Sequence, residues 1–156
     1  MRIAIVGNSG SGKSTLARNI AGDRGVPILD LDIIFWQRDK IAVPRPFAQA
    51  LVDLNRFCRD NRQWVIEGCY GDLVRAALAF RPTLTFLDPG RQACLEHCRA
   101  RPWEPHKYKS KAQQDAQLDV LLPWVAAYYE RDGDTSLRGH RRLFDDYDGP
   151  KERVAG

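Results

Sequence analysis

The chain is predicted to fold as one α/β domain over residues 1–156, a parallel sheet with helices on both faces, and three observations lead there. Short apolar runs alternate with stretches of helical periodicity. Each run stops at Gly, Asp or Pro, which are strand terminators. The 156 residues, 44% of them apolar, suffice for one core and leave little for a second. Strand and helix in alternation require crossover connections, which place helices in layers above and below the sheet.

Taken in order, Arg2 to Val6 is apolar and β-branched and reads as the first strand. A Gly/Ser loop follows, then a helix over Ser14 to Ala21 that stops at Gly22 or Gly25. Val26 to Leu31 reads as a second, buried strand ending at Asp32. After Pro46, Phe47, Leu51, Leu54, Phe57 and Cys58 recur at helical spacing up to Asn61, with the proline where a first turn tolerates it. Trp64 to Gly68 is the third strand, Leu73 to Phe80 a short helix, and Thr83 to Asp88 the fourth strand, closed by Pro89-Gly90.

A helix from Arg91 to about Arg101 leads into the most basic stretch of the chain, which Pro102 and Pro105 interrupt. The residues from Pro102 to Ser110 are expected to be a mobile segment. A long amphipathic helix then runs from about Ala112 to Tyr129, with Leu118, Leu121, Leu122, Val125 and Tyr129 on its apolar side. Leu137 to Phe144 is a further helix inside a polar, turn-rich segment, and Lys151 to Val154 fits a fifth, edge strand.

Composition narrows the function. Lys plus Arg number 24 against 20 Asp plus Glu, a formal charge of +4 that favours anionic ligands without describing a nucleic-acid platform. There is no membrane-length apolar run, and the N-terminus enters Gly-rich sequence too soon for a signal peptide, so a cytoplasmic protein with no membrane partner is expected. The four cysteines, Cys58, Cys69, Cys94 and Cys98, are expected as reduced thiols. Cys94, His97 and Cys98 share a helix face, but no second ligand pair completes a zinc site, and buried apolar cysteine is the commoner state.

The chemistry is carried by Gly7-Asn8-Ser9-Gly10-Ser11-Gly12-Lys13-Ser14, a complete G-x-x-x-x-G-K-[ST] loop between a predicted strand and a predicted helix. Its glycines let successive backbone amides turn toward phosphate oxygens, and the helix N-terminus adds partial positive charge. Lys13 then reaches the β- and γ-phosphates, the Ser14 hydroxyl becomes a magnesium ligand, and Thr15 adds a phosphate contact. ATP and Mg2+ are therefore expected. No Asn-Lys-x-Asp is present, which argues against a Ras-type GTPase, and the chain has no room for the extra domains of helicases.

The opening M-R-I-A-I-V-G-N-S-G-S-G-K-S-T-L-A-R resembles P-loop kinases of the adenylate kinase and shikimate kinase type. With L-D-L-D-I-I-F-W, W-V-I-E-G-C-Y, T-F-L-D-P-G and W-E-P-H-K, the chain is most similar to the bacterial DNA topology modulation (FlaR-related) proteins over nearly its whole length. The resemblance implies a three-layer α/β/α P-loop NTPase fold with about five strands in the order 2-3-1-4-5 and a short lid over residues 102–110. It implies a kinase with a small-molecule acceptor, a nucleotide or a hydroxyl-bearing metabolite. A nucleotide-dependent regulatory or DNA-associated role is the alternative, resting on the family's name and the basic stretch.

Asp30 and Asp32 resemble the Asp-x-Asp of shikimate-type kinases. Asp32 would orient the acceptor hydroxyl and Asp30 a magnesium-bound water, while a helix N-cap or a solvated loop is the structural alternative for either. Glu67-Gly68 stands where adenylate kinases carry a magnesium-shell Asp-Gly. The Phe-Pro-Arg that follows there is replaced by Cys69-Tyr70-Gly71, which speaks against simple AMP phosphorylation. Phe35, Trp36 and Tyr70 are expected about the acceptor, with core packing the alternative for Tyr70. Arg99 and Arg101, beside His106, Lys107 and Lys109, are the candidate lid cations for the transferring phosphoryl group. Trp103 is a lid anchor or a nucleobase stack.

Overall fold

The computed structural model describes all 156 residues, Met1–Gly156. Five strands, β1 (Arg2–Gly7), β2 (Ile28–Asp30), β3 (Trp64–Gly68), β4 (Thr83–Leu87) and β5 (Lys151–Val154), form one parallel sheet in the order β2-β3-β1-β4-β5. The helices are α1 (Lys13–Ala21), α2 (Leu31–Phe35), α3 (Phe47–Asp60), α4 (Gly71–Ala77), α5 (Arg91–Ala100), α6 (Lys111–Ala126) and α7 (Leu137–Asp146). This is the three-layer α/β/α architecture and the strand order 2-3-1-4-5 that the resemblance implies.

Strand pleating divides the core. Ala4 and Val6 of β1, with Trp64, Ile66, Leu84 and Phe86 on its neighbours, pack with α2, α3, α4 and α7. Ile5, Val65 and Leu87 point the other way, onto Ala17 and Ala21 of α1. The sheet is therefore apolar on both faces, as parallel sheets covered by crossover helices are. A third cluster, Cys94, Cys98 and Val125, joins α5 to α6.

Two elements differ from expectation. The second strand is shorter than Val26 to Leu31 because the Asp30 carboxylate accepts the Asp32 amide at 2.9 Å and turns the chain straight into α2. Asp32 therefore lies in the first turn of a helix and not at a strand end. At the end of α6, Tyr128 rather than Tyr129 enters the core, because a 3-10 turn over Ala127–Tyr129 advances the side chains out of the 3.6-residue phase.

The polar segment after residue 131 gains a role. The Ser136 hydroxyl accepts the Gly139 amide at 3.0 Å and caps α7, which delivers His140 into the core at 0% exposure. His140 Nε2 lies 2.8 Å from the Cys69 carbonyl, so it carries the proton and donates, and Nδ1 accepts from the Tyr128 hydroxyl at 2.7 Å. The Gly71 amide donates to the Asp134 carbonyl at 3.1 Å. The turn that follows β3 is thus fastened from behind by α7.

Burial holds His140 neutral, its pKa pushed down from 6.5 to about 4. The unfolded chain binds a proton in this window that the folded chain does not, so stability is full above pH 6.5 and declines as pH falls toward 4. The expected loss is about 3 kcal/mol. In His140→Gln, whose amide can make both hydrogen bonds without titrating, urea unfolding between those pH values should show that slope flattened.

Candidate active site

In a parallel sheet every strand ends at the same edge, and here the residues following β1, β2 and β3 line one cleft of about 1020 Å³. Register fixes their neighbourhood, with Glu67 of β3 opposite Ile5 on one side and Asp30 on the other. The segment between α5 and α6 covers the far wall.

The glycine loop curls back on itself. Gly10 has φ +77° and Gly12 φ +95°, the left-handed region that side chains disfavour. Gly10 is also pressed on α5, where any Cβ would collide with the Cys94 carbonyl oxygen. The Asn8 side-chain amide donates to the Val125 carbonyl at 3.1 Å and His97 Nδ1–H to the Gly10 carbonyl at 2.6 Å, so α5 and α6 brace the loop from outside. The amides of Gly10, Gly12, Lys13, Ser14 and Thr15 donate to no protein acceptor. Their residues line the cleft together with Ser9 and Ser11, whose hydroxyl oxygen is buried without a partner. Orphan donors at a helix start are an anion cradle.

Lys13 follows directly on Gly12 at the end of the loop. It opens α1, is only 8% exposed, and donates from Nζ to the Asn8 carbonyl at 2.6 Å, closing over the loop's own backbone.

Next to it the Ser14 hydroxyl donates to Glu67 Oε1 at 2.8 Å. Burial raises the Glu67 carboxyl above the usual range; Lys13 and the Ser14 hydroxyl pull it back, and Asp30 and Asp32 push it further up. Ser14, Glu67 and Asp30 form an all-oxygen donor set that fits magnesium, which keeps several waters and phosphate oxygens and asks for few protein ligands. No three His, Cys, Asp or Glu side chains converge as a full metal cage, and Cys94 and Cys98 are packed in apolar surroundings with raised pKa values.

Asp32 is held from two sides. The Tyr70 hydroxyl donates to Oδ1, and Lys107 Nζ donates to Oδ2 at 2.7 Å. Burial alone would raise this carboxyl, but the Lys107 ammonium and the Tyr70 hydroxyl outweigh it and leave its pKa below the ordinary value. The Tyr70 hydroxyl in turn accepts from Trp36 Nε1 at 2.8 Å, and Phe35 stacks on the Tyr70 ring at 3.9 Å. Phe35, Trp36 and Tyr70 therefore sit behind Asp32 and do not line the cleft.

The lid residues divide. Arg99 is exposed on α5 and outside the cleft, whereas Arg101 lines it and pairs with Glu104 at 3.4 Å. Lys107 reaches deepest, 18% exposed and within 3.4 Å of Asp30, Asp32 and Glu104. Sequence reading did not single out Lys107 or Glu104 as site residues. Their i,i+3 spacing in the Pro-flanked segment was the available signal, and it was obscured by the surrounding basic residues. Trp103 is 43% exposed and donates to the Tyr108 carbonyl at 2.9 Å, so it anchors the lid to itself.

No family model and no curated protein matches this chain. Among solved structures, a sugar kinase from Janibacter sp. HTCC2649 superposes over 98% of this chain and 83% of its own, with 15% identity and TM-score 0.51. Shikimate kinase from Acinetobacter baumannii, in complex with shikimate, covers 91% of this chain and 90% of its own at 21% identity and TM-score 0.47. A gluconokinase from Sinorhizobium meliloti 1021 covers 93% and 94% at 19% identity and TM-score 0.45. At 15% identity the likeness to the Janibacter protein speaks for the fold alone.

Gly10→Ala should destabilise the protein by about 3 kcal/mol, combining a strained φ with overlap on the Cys94 carbonyl. Urea unfolding checks it, and a loss under about 0.5 kcal/mol would show that the loop is free of α5.

Proposed function

We propose that the protein is a kinase that takes ATP with magnesium and transfers the γ-phosphoryl group to a hydroxyl of a small molecule. The observation that carries this reading is the placement of an ionised, firmly held carboxylate, Asp32, in the same cleft as the loop from Gly7 to Ser14 with its unpaired amides. The Janibacter sugar kinase shares the fold, and the proposal extends its class of chemistry to this chain.

In this reading the amides from Gly10 to Thr15 bind the phosphates and Lys13 leaves the Asn8 carbonyl to meet the β- and γ-oxygens. The Asn8 carbonyl keeps the Ser11 amide at 3.2 Å, so the loop survives that exchange. Ser14, Glu67 and Asp30 would hold magnesium, which neutralises charge on the phosphate oxygens. Asp32 accepts the hydrogen bond of the acceptor hydroxyl and aims its oxygen at phosphorus. Its depressed pKa makes it an orienting group more than a strong base, which suffices for a loose phosphoryl-transfer transition state. Lys107 and Arg101 are the lid cations available to the developing charge; Arg99, facing away from the cleft, is not.

Two substitutions separate binding from transfer. Lys13→Ala should weaken ATP binding by about 10- to 100-fold in calorimetric titration while the protein stays folded. Unchanged affinity would remove the loop from the site. Asp32→Asn should keep ATP affinity and lower kcat about 100-fold or more in an ADP-release assay. Full turnover would release Asp32 from the mechanism.

A further inference from the structure

Resting on the kinase reading, the acceptor end of the cleft also defines the charge of the molecule it takes. We propose that the acceptor is an amino alcohol or amino sugar, whose ammonium occupies the position now held by Lys107 Nζ and whose neighbouring hydroxyl receives the phosphoryl group.

The first observation is that an alkylammonium is already seated there. Lys107 Nζ lies 2.7 Å from Asp32 Oδ2, 3.1 Å from Asp30 Oδ2 and 3.4 Å from Glu104 Oε2. An ammonium has three N–H donors, and three carboxylate oxygens meet them. These oxygens are fixed independently of Lys107. Asp30 is tied to the Asp32 amide, Asp32 to the Tyr70 hydroxyl, and Glu104 Oε1 accepts from Arg101 at 3.4 Å. The Lys107 stem is flexible, so its side chain can leave while the carboxylates stay.

The second observation concerns the remaining cations. Arg101 is paired with Glu104, and Arg45, near α2, is committed to Asp53 at 2.8 Å and to the Ile34 carbonyl. His106 stands 3.9 Å from both Asp30 and Glu104. Lys13 and Arg18 line the cleft at the glycine loop, where the ATP phosphates belong. No uncommitted cation faces Asp32, so once magnesium is taken up by Asp30 a carboxylate or phosphate on the acceptor would still meet Asp32 and Glu104 without a counter-charge.

Once Lys107 swings toward the phosphates, where charge develops, magnesium answers Asp30, and Asp32 and Glu104 repel one another unless a second cation replaces the ammonium. A substrate ammonium does so, and it brings a hydroxyl one or two carbons away beside Asp32. The hydroxyl oxygen then bonds to the γ-phosphorus, the bond from that phosphorus to the β–γ bridging oxygen breaks, ADP leaves, and the hydroxyl proton passes by way of Asp32 to water.

The test is an ADP-release assay of the intact protein with ATP and magnesium on four compounds of one skeleton: an amino sugar, its neutral parent, the corresponding sugar acid and a phosphate monoester. The amino sugar should exceed the neutral parent in kcat/KM by about tenfold or more, the discrimination of one charge-assisted contact. The acid and the ester should give no turnover above hydrolysis. Equal turnover of the neutral parent, or preference for the acid or ester, overturns the proposal and leaves the kinase reading standing.

A second readout needs no turnover. In Lys107→Ala, propylammonium chloride should raise Tm saturably by about 2–4 °C over sodium chloride of equal ionic strength. 1-Propanol should not, and the parent protein should not respond. Absence of that saturable rise overturns the proposal. Should every acceptor fail and ATP not bind, the kinase reading falls and this titration alone decides whether the site selects an ammonium.

Discussion

The parallel sheet is the constraint from which the site follows. Because all five strands run the same way, the segments leaving β1, β2 and β3 emerge at one edge, and each contributes a different chemical element there. β1 releases the glycine loop, β2 ends on Asp30 just before Asp32, and β3 carries Glu67 in its next-to-last position, held between its neighbours by register. No long-range folding accident is needed to collect them. What remains for tertiary packing is the angle at which each side chain arrives.

The electrostatics explain why that packing is so specific. Asp30, Asp32, Glu67 and Glu104 line one cleft, and such a concentration of carboxylates stands only if cations and fixed donors oppose it. Lys13 serves the glycine-loop side and Lys107 the lid side, where its own pKa is raised by the acids around it despite its burial. The Tyr70 hydroxyl adds a neutral donor to Asp32. From there the support runs backward through the fold, since Tyr70 follows Cys69, whose carbonyl accepts from His140 of α7. The C-terminal helix, far along the chain, thereby sets the geometry of a carboxylate that follows the second strand.

Much of the fold was legible because it rests on local signals. Apolar runs bounded by Gly, Asp and Pro mark strands without reference to the rest of the chain, and Trp64–Gly68 forms over the very residues that pattern marks. The glycine loop was legible for a different reason, since its backbone demands particular residues in a particular order. The second strand was misjudged at its end because an apolar run does not reveal that an Asp side chain will cap the next helix. The helical period predicts Tyr129 on the apolar side and misses Tyr128, because a spacing of 3.6 does not continue through a 3-10 turn. Lys107 escaped because charge counting cannot tell which of several neighbouring cations turns inward; that depends on carboxylates more than 70 residues earlier in the chain.

By itself, then, the sequence determined the parallel α/β scaffold and the glycine loop after its first strand, both of which are written in short windows where periodicity and backbone conformation suffice. Tertiary structure alone decided the working face of the cleft. It placed Phe35, Trp36 and Tyr70 behind Asp32 and off the lining of the main cleft, turned Arg99 out to solvent, and drew Lys107 in among three acids. The physical reason is that charge pairing and aromatic packing act through space, with no period along the chain to announce them.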